Sequence, residues 1–172
     1  MTFGLSLGLL VLRLGVGITI AAHGAQKLFG WWGGPGLDGF TATTEKLQLR
    51  PARPLAIMAA LAEFGGGALI VLGLLSPIGP LVVAANMLVA IVTAHLARGF
   101  WSSAGGYEFA LLILSASLAL SLTGPGGYSL DAAAGLTLPE PVTWIVVAVV
   151  CFGGAAGTLL SRRVRRRRLE LG

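Results

Sequence analysis

His23-Gly24-Ala25-Gln26-Lys27-Leu28-Phe29-Gly30-Trp31-Trp32-Gly33-Gly34-Pro35-Gly36 closes the first hydrophobic run, and its reading decides the fold. An apolar stretch, 5–25, leads into it. Three polar side chains enter in the last turns, two tryptophans follow, and a Gly/Pro cluster stops the helix. Apolar body, polar handle, aromatic collar and breaker are what a membrane helix shows as it leaves the bilayer. The order puts His23, Gln26 and Lys27 just below the head groups, facing protein or a wet cavity.

Composition agrees. Hydrophobic residues make up 55% of the 172 residues and charged residues 11%, against roughly a quarter charged in a soluble domain. The chain reads as a polytopic membrane protein with little room for a separate soluble domain. Its formal charge of +5 belongs to the tail: six arginines lie in Arg162–Arg168, leaving six basic against seven acidic residues elsewhere. Placed directly after a membrane span, such a tail anchors topology and binds anionic lipid rather than nucleic acid. Cys151 is the only cysteine, which excludes an intrachain disulfide, a C-x-x-C redox pair and a cysteine-based metal site. The N-terminus lacks a basic n-region, so no signal peptide is expected.

The pattern gives spans at about 5–25, 55–75, 81–96, 107–122 and 142–160, the first of them about the 20 residues a bilayer needs. Between the first two, Leu37, Phe40, Thr44 and Leu47 recur at helical spacing, which predicts an interfacial amphipathic helix over 37–49, ended by Pro51 and Pro54. With five spans and the arginine tail in the cytoplasm, the N-terminus lies outside. Lys27, Lys46, Arg50, Arg53 and Arg98 then all fall on the cytoplasmic side, as the positive-inside rule requires.

Charges inside a membrane face the bundle and pair. Ala56, Ala59, Ala60, Gly66 and Gly67 share the helical face of Glu63, a small-residue seam that admits a neighbouring helix. Arg13, Gly17, Ile20, Gly24 and Lys27 form the matching stripe on the first span. The expectation is that these faces pack, with Arg13 or Lys27 neutralising Glu63 and Arg13–Glu63 as the assigned internal charge pair. Asn86 and Thr93 read as interhelical hydrogen-bonding groups.

His23, Gln26, Lys27, His95 and Glu108 lie toward the cytoplasmic surface. Together they would make a polar pocket under the tryptophans that binds a quinone head group, with His23 and Glu108 as the candidate catalytic, proton-handling groups. The competing reading is that each simply meets water at the interface. Haem ligation by His23 and His95 is disfavoured because His95 lies opposite the polar stripe of its own helix. No metal-ligand set, phosphate-binding loop or Ser/His/Asp triad is present at meaningful spacing.

Several stretches resemble the DoxX family of bacterial and archaeal membrane proteins. They are Leu12-Arg13-Leu14-Gly15 running into His23–Gly30, Ala62-Glu63-Phe64-Gly65-Gly66, the His95–Phe100 loop, Gly106-Tyr107-Glu108, and Gly124-Pro125-Gly126 through Ser129-Leu130-Asp131. The resemblance implies a four-helix bundle over 1–133, to which 134–172 adds a fifth span and the basic tail. It also implies that Arg13, His23, Lys27, Glu63 and Glu108 occupy motif positions. The expected role is a membrane subunit of a quinone- or thiol/sulfur-linked oxidoreductase system in the plasma membrane, docking a soluble redox protein on its cytoplasmic face. The alternative is a non-catalytic scaffold or small-solute or lipid carrier.

Overall fold

The structure is a computed structural model describing residues 2–170, with side-chain surroundings for residues up to 160 and for Arg162. Among the described residues every regular element is helical: α1 (Phe3–Phe29), α2 (Gly36–Lys46), α3 (Ala52–Leu72), α4 (Ile78–Ala90), α5 (Glu108–Thr123), α6 (Leu130–Ala134) and α7 (Val142–Glu170). α4 continues through a π turn, Ile91–His95, and a 3-10 turn, Leu96–Arg98. The fold is a polytopic helical bundle. Among the described residues four stretches are long and apolar enough to cross a membrane: α1, α3, Ile78–Arg98 and Val142–Leu160. α5 has 16 residues, about 24 Å at 1.5 Å per residue, short of the roughly 30 Å hydrocarbon core. It still connects both ends of the bundle. Glu108 N donates to Phe100 O at one end, and Pro125, just past its other end, meets Arg13.

Some boundaries move from their expected places. α3 begins at Ala52, so Pro54 sits in its first turn, where a missing N–H costs nothing. α4 likewise takes Pro80 into its first turn. The expected loop at 123–141 contains α6, whose start is capped by Ser129 Oγ accepting from Ala132 N at 3.1 Å.

The two seams read from the sequence pack as one interface. Arg13, Gly17, Ile20 and Gly24 of α1 are buried, as are Ala56, Ala60, Glu63, Gly66 and Gly67 of α3. A Cβ on Gly17 would lie 2.8 Å from Gly67 O, and one on Gly67 would lie 2.8 Å from Gly17 O. Only glycine at both positions permits this approach. α4 packs on the other flank of α3, with Val83 against Gly66, and carries α5 and α7.

α7 runs parallel to α4. Trp144 Nε1 donates to Ser121 Oγ at 3.3 Å near one end, and Arg162 Nη1 donates to Val92 O at 3.3 Å near the other. Most of the span from Val142 to Leu160 is unburied, with Ala155 its one buried residue among those described. The expected lipid-binding cluster at Arg162–Arg168 lies, beyond Arg162, outside the described side chains. The end of the bundle that carries Trp31, Trp32, α2 and the 99–106 loop is called the tryptophan end below.

Candidate functional site

α1 and α3 run antiparallel in a register set by Gly17 against Gly67 and Gly24 against Phe64. That register brings Lys27 to Glu63. The Lys27 Nζ lies 2.5 Å from both carboxylate oxygens of Glu63, whose side chain is only 2% exposed. Asn86 Nδ2 of α4 donates to Glu63 Oε1 at 3.1 Å. Phe40 of α2 presents its ring 4.8 Å from the Lys27 ammonium, within the range of a cation–π contact. Four helices therefore meet at the Lys27–Glu63 pair. The pair is neutral as a unit, which is how a charge is tolerated at membrane depth.

Arg13 is not the partner of Glu63: the expected Arg13–Glu63 pair does not form, and Lys27 takes that place. Glu63 is seven residues before Ile70, about 10 Å along α3, and Arg13 lies level with Ile70. Nearer acceptors take it. Arg13 Nε donates to Ile70 O at 3.1 Å, and Nη2 to Val71 O at 3.1 Å and Tyr128 O at 2.9 Å; Nη1 donates to Pro125 O. Ile70 and Val71 supply carbonyls from the last turn of α3, beyond the reach of the regular helical ladder (Ile70 O also accepts from the capping Gly73 N at 3.1 Å), and these carry the negative end of the helix dipole. Gly73, at φ +61°, leaves room for the guanidinium: a Cβ there would lie 2.6 Å from Nη1. Buried Asp131 completes this end, accepting from Leu75 N and Ser76 N at 2.9 Å each.

The five polar residues expected to share a pocket occupy the tryptophan end, but Lys27, His95 and Glu108 take separate partners. Lys27 is held by Glu63. His95 Nδ1 lies 2.8 Å from Gly105 O, tying the π turn of α4 to the following loop. Glu108 Oε2 accepts from Ser102 N and Ser102 Oγ at 2.9 Å each, holding the same loop from its far side. His23 is exposed, its ring 5.3 Å from that of Phe109. Gln26 is half-buried. The side chains of His23 and Gln26 have no protein hydrogen bond among the described residues. Among the described residues, no group of three or more His, Cys, Asp and Glu is placed to hold a metal.

The hollow beside Trp31 and Trp32 is apolar instead of polar. It is a groove of about 380 Å³ between α1 and α3, and none of the five polar residues lines it. The reason is local. The close contacts at Gly17 and Gly24 leave alanines on the flanks of both helices, and alanines do not fill the cleft beside them.

Two contributors escaped the sequence reading. Asp131 stands in the sequence only within the Gly124-Pro125-Gly126 through Asp131 stretch, with no role assigned, because the groups that donate to it are backbone N–H groups with no sequence signature. Phe40 reads as an interfacial apolar position, and only the fold of α2 over the end of α1 brings it to Lys27. Its spacing on the amphipathic face was the available signal.

The family model DoxX matches residues 8–96, which takes in Arg13, the first tryptophan pair, Glu63, Asn86 and His95. No curated protein and no solved structure matches the chain. The matched segment covers more than half of the sequence and contains both charged nodes of the α1–α3 interface. With its bundle of apolar helices, the chain belongs to the DoxX family of integral membrane proteins.

Proposed function

We propose that this DoxX protein is the membrane subunit of a quinone- or thiol/sulfur-linked oxidoreductase system. The observation that carries the reading is the state of His23 and Gln26. They stand one helical turn apart at the tryptophan end, unclaimed by any protein hydrogen bond among the described residues, with the His23 ring against Phe109. A quinone head group needs donors for its carbonyl oxygens and an aromatic surface for its ring, so these residues fit it. When bound, a quinone supplies electron and proton acceptance that the side chains lack. His23 holds a proton at a ring nitrogen, and the Gln26 amide orients the head group by donating N–H. Lys27, held by Glu63, keeps the flank of the site neutral.

His95 and Glu108 act as braces in this account. They fix the loop that presents Arg98, Phe100 and Trp101, all exposed, to a soluble redox partner. We place the tryptophan end in the cytoplasm and the N-terminus outside the plasma membrane, because Lys46, Arg50, Arg53, Arg98 and Arg162 belong to that end. Titrating the purified protein with a short-chain quinone analogue tests the site. His23→Ala with Gln26→Ala should weaken binding about tenfold, near 1.4 kcal/mol, with thermal stability kept. Unchanged binding overturns the assignment. The second reading, a non-catalytic lipid carrier or scaffold, is favoured by the apolar groove.

A further inference from the structure

We propose that the groove between α1 and α3 holds one acyl chain of a bilayer phospholipid, from the leaflet at the tryptophan end. Its walls are Ala21, Ala22 and Ala25 on one side and Phe64, Ala68 and Val71 on the other, and apart from the indoles of Trp31 and Trp32 every lining side chain is pure hydrocarbon. It lies on helices that cross the membrane, so its medium is lipid and its occupant is hydrocarbon. From Ile18 to Ala25 the α1 wall runs seven residues, about 10 Å. That is most of the roughly 15 Å depth of one leaflet, so the groove takes a single chain from one side and does not cross the bilayer.

The tryptophans supply the other half of the recognition. Trp31 and Trp32 line the groove and are 52% and 71% exposed. Among the described residues neither indole N–H has a protein acceptor. Trp32 adopts φ 50°, ψ 36°, a left-handed conformation that is unfavourable for a bulky side chain. The backbone thus accepts strain to hold an aromatic pair where α1 leaves the bilayer. Indole donors beside a hydrocarbon groove match an amphiphile with acceptor oxygens in its head and an alkyl chain behind them. This site is separate from His23 and Gln26, which do not line the groove.

The test uses the full chain carrying Trp101→Phe and Trp144→Phe, so that only Trp31 and Trp32 report. Delipidated protein in mild detergent is titrated with a phosphatidylglycerol brominated on its acyl chains. Fluorescence quenching should saturate at one lipid per chain. Filling the groove with Ala22→Leu and Ala68→Leu should move the midpoint about tenfold higher, near 1.4 kcal/mol, in protein whose thermal unfolding is unchanged. If that variant fails to fold, native mass spectrometry of Trp31→Phe with Trp32→Phe replaces it, with loss of the retained phospholipid expected. Quenching that rises without saturation, equal midpoints in filled and unfilled grooves, undiminished retention by the tryptophan variant, or displacement of the lipid by a quinone analogue overturns the proposal.

Discussion

Lys27 and Glu63, thirty-six positions apart, meet with the ammonium 2.5 Å from both carboxylate oxygens, and this contact ties α1 to α3 at the tryptophan end. Asn86 and Phe40 extend the tie to α4 and α2. At the other end Arg13 performs the same joining task by a different chemistry, binding backbone carbonyls instead of a carboxylate. The bundle is thus pinned at both ends of one glycine-lined interface.

Removing one member of the Lys27–Glu63 pair leaves an uncompensated buried charge. Lys27→Met and Glu63→Gln should each destabilise the protein by about 3–5 kcal/mol. The double variant should recover most of that loss, because neutral groups of similar shape remain. Thermal unfolding in detergent of all four proteins closes the cycle. Additive losses would mean that the two residues do not interact.

Arg13→Lys should fail as a conservative change. A lysine offers one ammonium where the guanidinium donates to four carbonyls on α3 and the 124–128 segment. Gly73→Ala should mimic it in part, since the new methyl would meet the guanidinium at a left-handed backbone position. Proteolysis of the loop after α5 reads both, with faster cleavage expected. Glu63→Gln should speed cleavage there no more than elsewhere in the chain, which separates the two ends.

Ser117 is fully buried on α5, and among the described residues its hydroxyl has no hydrogen-bond partner. An unmade buried hydrogen bond costs about 1–3 kcal/mol. Ser117→Ala should therefore leave stability unchanged or raise it by about 1 kcal/mol, measured by thermal unfolding. A clear loss would mean that the hydroxyl is in use.

What was legible in the sequence follows from periodicity and polarity. The buried stripe Arg13, Gly17, Ile20, Gly24 and the seam around Glu63 could be drawn on helical wheels, and the helices place them against each other. The partner of Glu63 could not be drawn, because two basic residues lay within reach and only the α1–α3 register chooses between them. The fate of the polar cluster was equally hidden. His95 and Glu108 are taken by Gly105 O and Ser102, backbone and loop partners that no spacing announces. The groove was invisible because it is made by what alanines leave unfilled.

The central functional claim is that His23 and Gln26 face a quinone. The most direct measurement is a reduced-minus-oxidised absorption spectrum of the protein purified from its native membrane in mild detergent, with extraction to count quinone per chain. The account predicts a near-stoichiometric quinone signal that His23→Ala with Gln26→Ala abolishes while the fold persists. A flat spectrum at adequate protein concentration, or a signal untouched by that variant, would contradict it.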